Sequence, residues 1–168
     1  MTNPEPKTKL VTLATLLAQR ALWRQQGRTV VWTNGCFDLL HTGHLQSLLQ
    51  AAALGDILIV GVNSDASVRR LKGSNRPICH QADRAYLLAA LACVDFVCIL
   101  DDDTPVAALS RLQPDIHCKG EEYAPPHGKP IQEMPVVAAY GGQIRFLPRL
   151  PGHATTEIIQ RLAAAERT

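Results

Sequence analysis

His41 and His44 stand three residues apart at the end of the stretch Thr33-Asn34-Gly35-Cys36-Phe37-Asp38-Leu39-Leu40-His41-Thr42-Gly43-His44. The apolar run Val30 to Trp32 precedes this stretch and a helix-periodic segment, Leu45 to Leu54, follows it, which marks a strand-to-helix crossing. Unpaired N–H groups and the dipole at a helix start favour an anion, and glycines let a ligand approach the main chain. Two imidazoles add donors beside that anion, so the chemistry expected is binding of a nucleoside triphosphate. Metal binding fits less well, because only two ligands are evident and Asp38 would have to supply a third. Lys72, followed by Gly73-Ser74-Asn75-Arg76-Pro77, could close over phosphates as a point charge. Thr155-Thr156 reads as an N-cap whose hydroxyls and N–H groups also suit an anion.

These residues need a frame. Leu10, Leu13, Leu16, Leu17, Leu22 and Trp23 fall near helical spacing and predict a lead-in helix within residues 8–26, stopped by Gly27. Strands are expected at Val30–Trp32, Asp56–Val62, Asp95–Leu100, Ile116–Lys119 and Gln143–Leu147. Helices are expected at Gly43–Ala53, Gln81–Leu91, Pro105–Leu112, 131–140 and Thr155–Ala165. Residues 63–77 read as a long polar, basic loop and residues 124–130, with three prolines and a glycine, as another. Asp101-Asp102-Asp103 invites a metal reading, but Thr104-Pro105 is a helix-start signature and acids there complement the dipole. Alternating strands and helices imply a mainly parallel sheet with ligands at the carboxyl ends of its strands. The polar clusters at 33–44, 63–76, 119–123 and 149–156 all fall at that end.

At 168 residues the chain is expected to form one domain, 1–168, with residues 1–27 as lead-in helix and tail. Its 46% hydrophobic and 19% charged residues and net charge of +2 argue against a general nucleic-acid footprint. The polar start, Met1 to Lys9, and the lack of a long apolar run predict a cytoplasmic protein with no membrane partner. Five cysteines, Cys36, Cys79, Cys93, Cys98 and Cys118, contain no C-x-x-C pair and are expected to be reduced, mostly buried hydrophobes.

The T-N-G-C-F-D start at 33–38, H-T-G-H at 41–44, Leu54-Gly55-Asp56, Val62-Asn63-Ser64-Asp65-Ala66-Ser67-Val68, Leu71-Lys72-Gly73, Arg76-Pro77, Val94-Asp95 and Thr104-Pro105 carry a resemblance. The chain resembles the cytidylyltransferase-like nucleotidyltransferases over about residues 10–162, and within them the D-glycero-β-D-manno-heptose 1-phosphate adenylyltransferases, which make ADP-heptose for lipopolysaccharide cores. It departs from their K-G-G-D-Y at Lys119-Gly120-Glu121-Glu122-Tyr123, and from their S-T-T at Ala154. Leu147-Pro148-Arg149 with Gly152 is similar to the glycerol-phosphate cytidylyltransferases instead.

The resemblance implies a Rossmann-like, doubly wound, five-stranded sheet and an enzyme that transfers AMP from ATP to a sugar 1-phosphate. His41, His44 and Lys72 would be catalytic. Thr33, Asn34, Gly43, Arg84, Lys119, Arg149, Thr155 and Thr156 would bind the nucleotide, and Gly35, Cys36, Phe37, Asp38, Asn63, Asp65 and Arg76 the acceptor. Mg²⁺ would ride on the phosphates with no dedicated protein ligand. A homodimer, and a separate sugar kinase to supply the substrate, are also expected. The rival readings are a CTP-dependent enzyme acting on glycerol phosphate or another polyol phosphate, and a nucleotide-binding regulatory module without turnover.

Overall fold

The computed structural model describes residues 5–165. In chain order the elements are α1 (Pro6–Lys9), α2 (Leu13–Gln25), β1 (Val30–Gly35), α3 (Thr42–Ala52), β2 (Ile57–Asn63), α4 (Asp65–Lys72), α5 (Gln81–Ala90) and β3 (Phe96–Leu100). They continue with α6 (Val106–Leu112), β4 (Ile116–Gly120), a 3-10 turn (Glu121–Tyr123), α7 (Met134–Ala139), β5 (Gln143–Leu147) and α8 (Thr155–Ala165). The first four residues of the expected tail lie outside the described residues.

The strands form one sheet in the order β3-β2-β1-β4-β5, and every neighbouring pair is parallel. β2 is buried at all its positions, as a strand covered on both faces requires. One face packs Val31, Val60 and Val62 against Leu48 of α3 and Leu88 of α5, and the other packs Trp32, Ile57 and Ile59 with Leu16 of α2 and Leu109 of α6. Strand order reverses between β1 and its neighbours β2 and β4, so the crevice at the strand ends opens there.

Aspartates just before the strands fix their starting points. Asp56 Oδ2 accepts from the Thr29 N–H at 2.7 Å, Asp95 Oδ2 from Leu58 N–H at 2.8 Å, and Asp115 Oδ2 from Val30 N–H at 2.8 Å. Each carboxylate satisfies a donor at a strand entrance that a parallel ladder leaves open, and so helps set the register.

Two expectations need correction. The lead-in segment is not one helix: α1 and α2 are separated at Leu10–Thr12, where Leu10 bridges Val97 of β3 and the Val11 N–H donates to the Val97 carbonyl at 3.0 Å. Backbone spent on a strand edge is not helical, and Thr12 restarts the helix by accepting from the Thr15 N–H. Residues 63–77 are not all loop either. Ser64 caps α4 by accepting from the Ser67 N–H, and Arg69, Arg70 and Lys72 occupy its last turn, where cations complement the dipole. The basic composition that reads as a loop belongs to a helix end.

Candidate active site

Two adjoining cavities lie at the carboxyl ends of the strands. The larger, about 590 Å³, is bounded by the exits of β1, β2 and β4 and by Lys72, Arg76, Asp103 and Glu133. The smaller, about 310 Å³, lies between the start of α3, the exit of β4 and residues 149–156. His44, Gly120, Glu122, Thr155 and Thr156 line both.

The loop from β1 to α3 is strained. Phe37 and Leu39 have φ of 49° and 51°, the left-handed region that bulky side chains rarely adopt. The strain places the Phe37 ring 5.4 Å from that of His44, centroid to centroid. His41 is the N-cap of α3, its Nδ1 accepting from the His44 N–H at 3.4 Å. A neutral His41 with Nδ1 accepting carries its proton on Nε2, which lies 3.4 Å from the Thr155 hydroxyl. That hydroxyl donates in turn to the Asp38 carbonyl at 3.0 Å. Thr155 thus ties the last helix to the first loop, as well as lining both cavities.

Burial drives the His44 imidazole down to about 4, with the neighbouring His41 adding to the effect against a smaller opposing pull from Asp38. Burial also lowers His41, with the neighbouring His153 and Arg149 adding to the effect. Both rings are therefore neutral at pH 7 and serve as N–H donors and not as resident cations.

The smaller cavity gathers His41, Arg149, Thr155 and Thr156 as expected, and adds His153. Gly43 is required here: a Cβ at this position would stand 2.7 Å from the His153 carbonyl oxygen. Glu121 Oε1 accepts from the Arg149 N–H at 3.0 Å and joins the exits of β4 and β5. Ala154 supplies no hydroxyl, and Glu157 instead reaches back to its N–H at 3.4 Å, half of a capping box.

Thr33, Asn34, Gly35, Cys36, Phe37, Asp38, Asn63, Lys72, Arg76 and Lys119 all line the larger cavity. The Asp38 carboxylate is already committed. It accepts from Arg76 Nε at 2.7 Å and from the N–H groups of Ile78 and Cys79 at 2.9 Å. Burial pushes its pKa up, but these donors outweigh it and hold the carboxyl below its usual value. Asp38 therefore aims Arg76 at the cavity. Cys36 is half-buried, and burial raises its thiol despite the nearby cations Lys72, Arg84 and Arg76. Cys98 and Cys118 are buried, whereas Cys79 and Cys93 are half-buried, so the expectation of mostly buried thiols holds only in part.

Arg84 and Asp65 do not line either cavity. Arg84 is 2% exposed, and its guanidinium donates to Asp65 Oδ1 at 2.8 Å, to the Cys79 carbonyl at 2.9 Å and to the Cys36 carbonyl. The two side chains form an ion pair, closed to solvent on the arginine side, that braces the turn after β1. The acid triplet stands just before α6, which begins where Thr104-Pro105 predicts. α6 has no side-chain cap bond, and Asp103 pairs with Arg70 at 2.7 Å.

Lys119 lies in the larger cavity with its Nζ 3.0 Å from Glu133 Oε1 and 4.5 Å from the Tyr123 ring centroid. Glu133, His153 and Glu122 are among the cavity residues to which the sequence assigned no role. Glu122 and His153 stand inside segments it did mark, whereas Glu133 is hidden in a stretch readable only as a helix start.

The crevice at a switch point, with histidines on a helix start and hydroxyls on a facing one, defines a doubly wound protein built to bind nucleotide phosphates. The chain belongs to the cytidylyltransferase-like family, whose model matches residues 32–161. It is 48% identical over 139 residues to the bifunctional protein HldE of Syntrophotalea carbinolica, covering 83% of this chain and 28% of that protein. Against the HldE of Geotalea uraniireducens the identity is 45% over 160 residues, covering 95% of this chain and 32% of the relative. The chain thus spans about a third or less of these relatives. Among solved structures, a lipopolysaccharide core biosynthesis protein from Thermoplasma volcanium matches with TM-score 0.58 and 25% identity over 74% of this chain and 98% of that one. A pantoate-beta-alanine ligase from Francisella tularensis shares the fold, with TM-score 0.57 and 13% identity over 94% of this chain and 77% of that one.

Proposed function

We propose that this chain, as a single nucleotidyltransferase domain, transfers AMP from ATP to a sugar 1-phosphate, D-glycero-β-D-manno-heptose 1-phosphate, giving ADP-heptose and pyrophosphate. The carrying observation is that His44 and Thr156 line both cavities, so a triphosphate in one and an acceptor phosphate in the other meet there. The similarity to HldE proteins and to a lipopolysaccharide core biosynthesis protein supports this substrate class.

An acceptor phosphate oxygen attacks the α-phosphorus in line. The new P–O bond forms as the bond to the β-phosphate breaks, and pyrophosphate leaves with its electron pair. A phosphate monoester has a second pKa of about 6, so the nucleophile needs no general base. The work left to the protein is to bring two polyanions together and stabilise charge on the transition state. His41 and His44 donate at the breaking bond, Lys72 closes on the α-phosphate, and Arg149, Thr155 and Thr156 hold the β- and γ-phosphates. Thr33, Asn34 and Lys119 flank the nucleotide, and Arg76, aimed by Asp38, takes the acceptor phosphate beside Gly35, Cys36 and Phe37.

Mg²⁺ enters with ATP as part of the substrate. Its ligands would be mainly phosphate oxygens and water, as Mg²⁺ prefers. A homodimer in the cytoplasm, supplied by a sugar kinase, completes the proposal. The name "bifunctional" borne by the longer relatives supports a companion activity. Among the described residues no helix is long and apolar enough to cross a membrane.

The test is pyrophosphate release with ATP or CTP crossed against heptose 1-phosphate, other sugar 1-phosphates and glycerol phosphate. Turnover restricted to ATP with heptose 1-phosphate is expected. Preference for CTP with glycerol phosphate would replace this reading with the polyol-phosphate one, and tight ATP binding without turnover on any acceptor would leave a regulatory module.

A further inference from the structure

The larger cavity spans the switch point, whereas the smaller keeps to one side of it. The smaller is built from the exits of β4 and β5 with the starts of α3 and α8, whereas Asn63 and Asp103 stand at the exits of β2 and β3. This second side has an unusual donor balance. Asn63 is 4% exposed, and its amide nitrogen donates to Ser67 Oγ at 3.0 Å and to the Asp102 carbonyl at 3.4 Å. Asn63 also lines the larger cavity, and its Oδ1 can only accept a hydrogen bond.

Asp103 completes this wall. Arg70 approaches its Oδ1 with Nε at 2.8 Å and Nη2 at 2.7 Å, which fixes the carboxylate at the cavity rim while its side chain keeps 42% exposure. Carboxylate and amide oxygens only accept hydrogen bonds. An occupant that satisfies them must bring donors, and one that also reaches Lys72 and Arg76 must bring an anion. A phosphate ester carrying several hydroxyl groups does both.

We propose that Asp103, together with Asn63, reads the hydroxyl groups of the acceptor and so determines which sugar phosphate is used, and that Arg70 is a positioning residue that holds the Asp103 carboxylate in place. The inference rests on the nucleotidyltransferase reading above. The acceptor, and not the nucleotide, occupies the wall because the wall lies on the β2–β3 side, away from His153 and Arg149. A site built to bond a hydroxyl discriminates strongly against an analogue lacking it, because its own polar groups are then left unpaired.

The test compares wild type with Asp103→Ala, Asp103→Asn and Arg70→Ala. Steady-state kinetics would use heptose 1-phosphate and a set of analogues each lacking one hydroxyl, and calorimetry would measure binding of ATP and of heptose 1-phosphate separately. Loss of a charge-assisted bond should raise the acceptor KM roughly 10- to 100-fold in Asp103→Ala, with the ATP Kd unchanged. The same variant should no longer distinguish the parent sugar from the one analogue whose missing hydroxyl faces Asp103, a change that a general loss of folding would not give. Arg70→Ala should move in the same direction by less, and Arg70→Lys should recover part of the loss. An unchanged acceptor KM, a parallel weakening of ATP binding, or equal loss against every analogue would overturn the proposal. If wild type turns over no acceptor, the activity reading fails by itself, and heptose 1-phosphate binding to wild type and Asp103→Ala still decides the role of Asp103.

Discussion

The imidazoles of His41 and His44 are stacked, with ring centroids 3.8 Å apart and planes 24° apart. Two imidazolium ions at that distance would repel, and burial beside Phe37 adds to the cost of charging His44. The pair is therefore held neutral in the free protein. On the proposed reading a triphosphate would supply charge that favours protonation, so ATP binding should be linked to proton uptake.

This linkage is measurable by NMR titration of the histidine ring protons. In the free protein His44 should titrate near 4, far below the ordinary 6.5, and saturating ATP should move its titration upward. A titration that is the same with and without ATP would exclude contact between His44 and the phosphates.

His44→Ala removes a transition-state donor while leaving the α3 cap on His41 in place. Turnover should fall by about 10²–10³ with little change in ATP affinity. Pyrophosphate release and circular dichroism, run on the same sample, separate this from unfolding. Retention of most of the activity would remove His44 from the mechanism.

Stability should depend on pH through two buried histidines. His117 is fully buried in β4 and, by burial first and the nearby Lys119 second, is also lowered from 6.5 to about 4. Between those values the unfolded chain binds protons that the folded one refuses, so stability is complete above 6.5 and falls as the pH drops toward 4. Urea unfolding midpoints across this range should decline. His117→Leu should make the decline shallower, since neither His117 ring nitrogen has a partner among the described residues. An equally steep decline in that variant would exclude a contribution from His117.

Arg84 offers a test of brace against ligand. Replacing it with Met takes the guanidinium from Asp65, which keeps 17% exposure and its contact with His80, and should lower folding stability by about 1–3 kcal/mol. The ATP affinity of the folded variant should stay near that of wild type. A phosphate-binding arginine would give the reverse pattern, weaker ATP binding with stability nearly intact.

The sheet was legible in the sequence because β2 is apolar up to Asn63 at its exit and Asp56, Asp95 and Asp115 punctuate the strand starts. The helix starts that carry His41, His44, Thr155 and Thr156 were also legible, since these residues sit in short motifs that mark where a helix begins. The pairing of Arg84 with Asp65 was not, because only the fold brings the two side chains together. α4 was missed because only Ser67 and Val68 of it are buried, too few to impose a visible period. The meeting of Lys119 with Glu133 depends on the path of residues 120–132, which no local pattern reports.

The Leu10–Val97 bridge has a further consequence. β3 is an outer strand, and the Val11 N–H answers the Val97 carbonyl that would otherwise face water. Lys9 secures the arrangement from the side, donating to the carbonyls of Leu91 and Val94 where α5 ends. Beyond the bridge Ile99 remains 42% exposed. Residues 9–11 thus act as a selvedge that keeps the margin of the sheet from adding strands of other molecules, and a chain cut after Val11 would tend to join its own kind edge to edge.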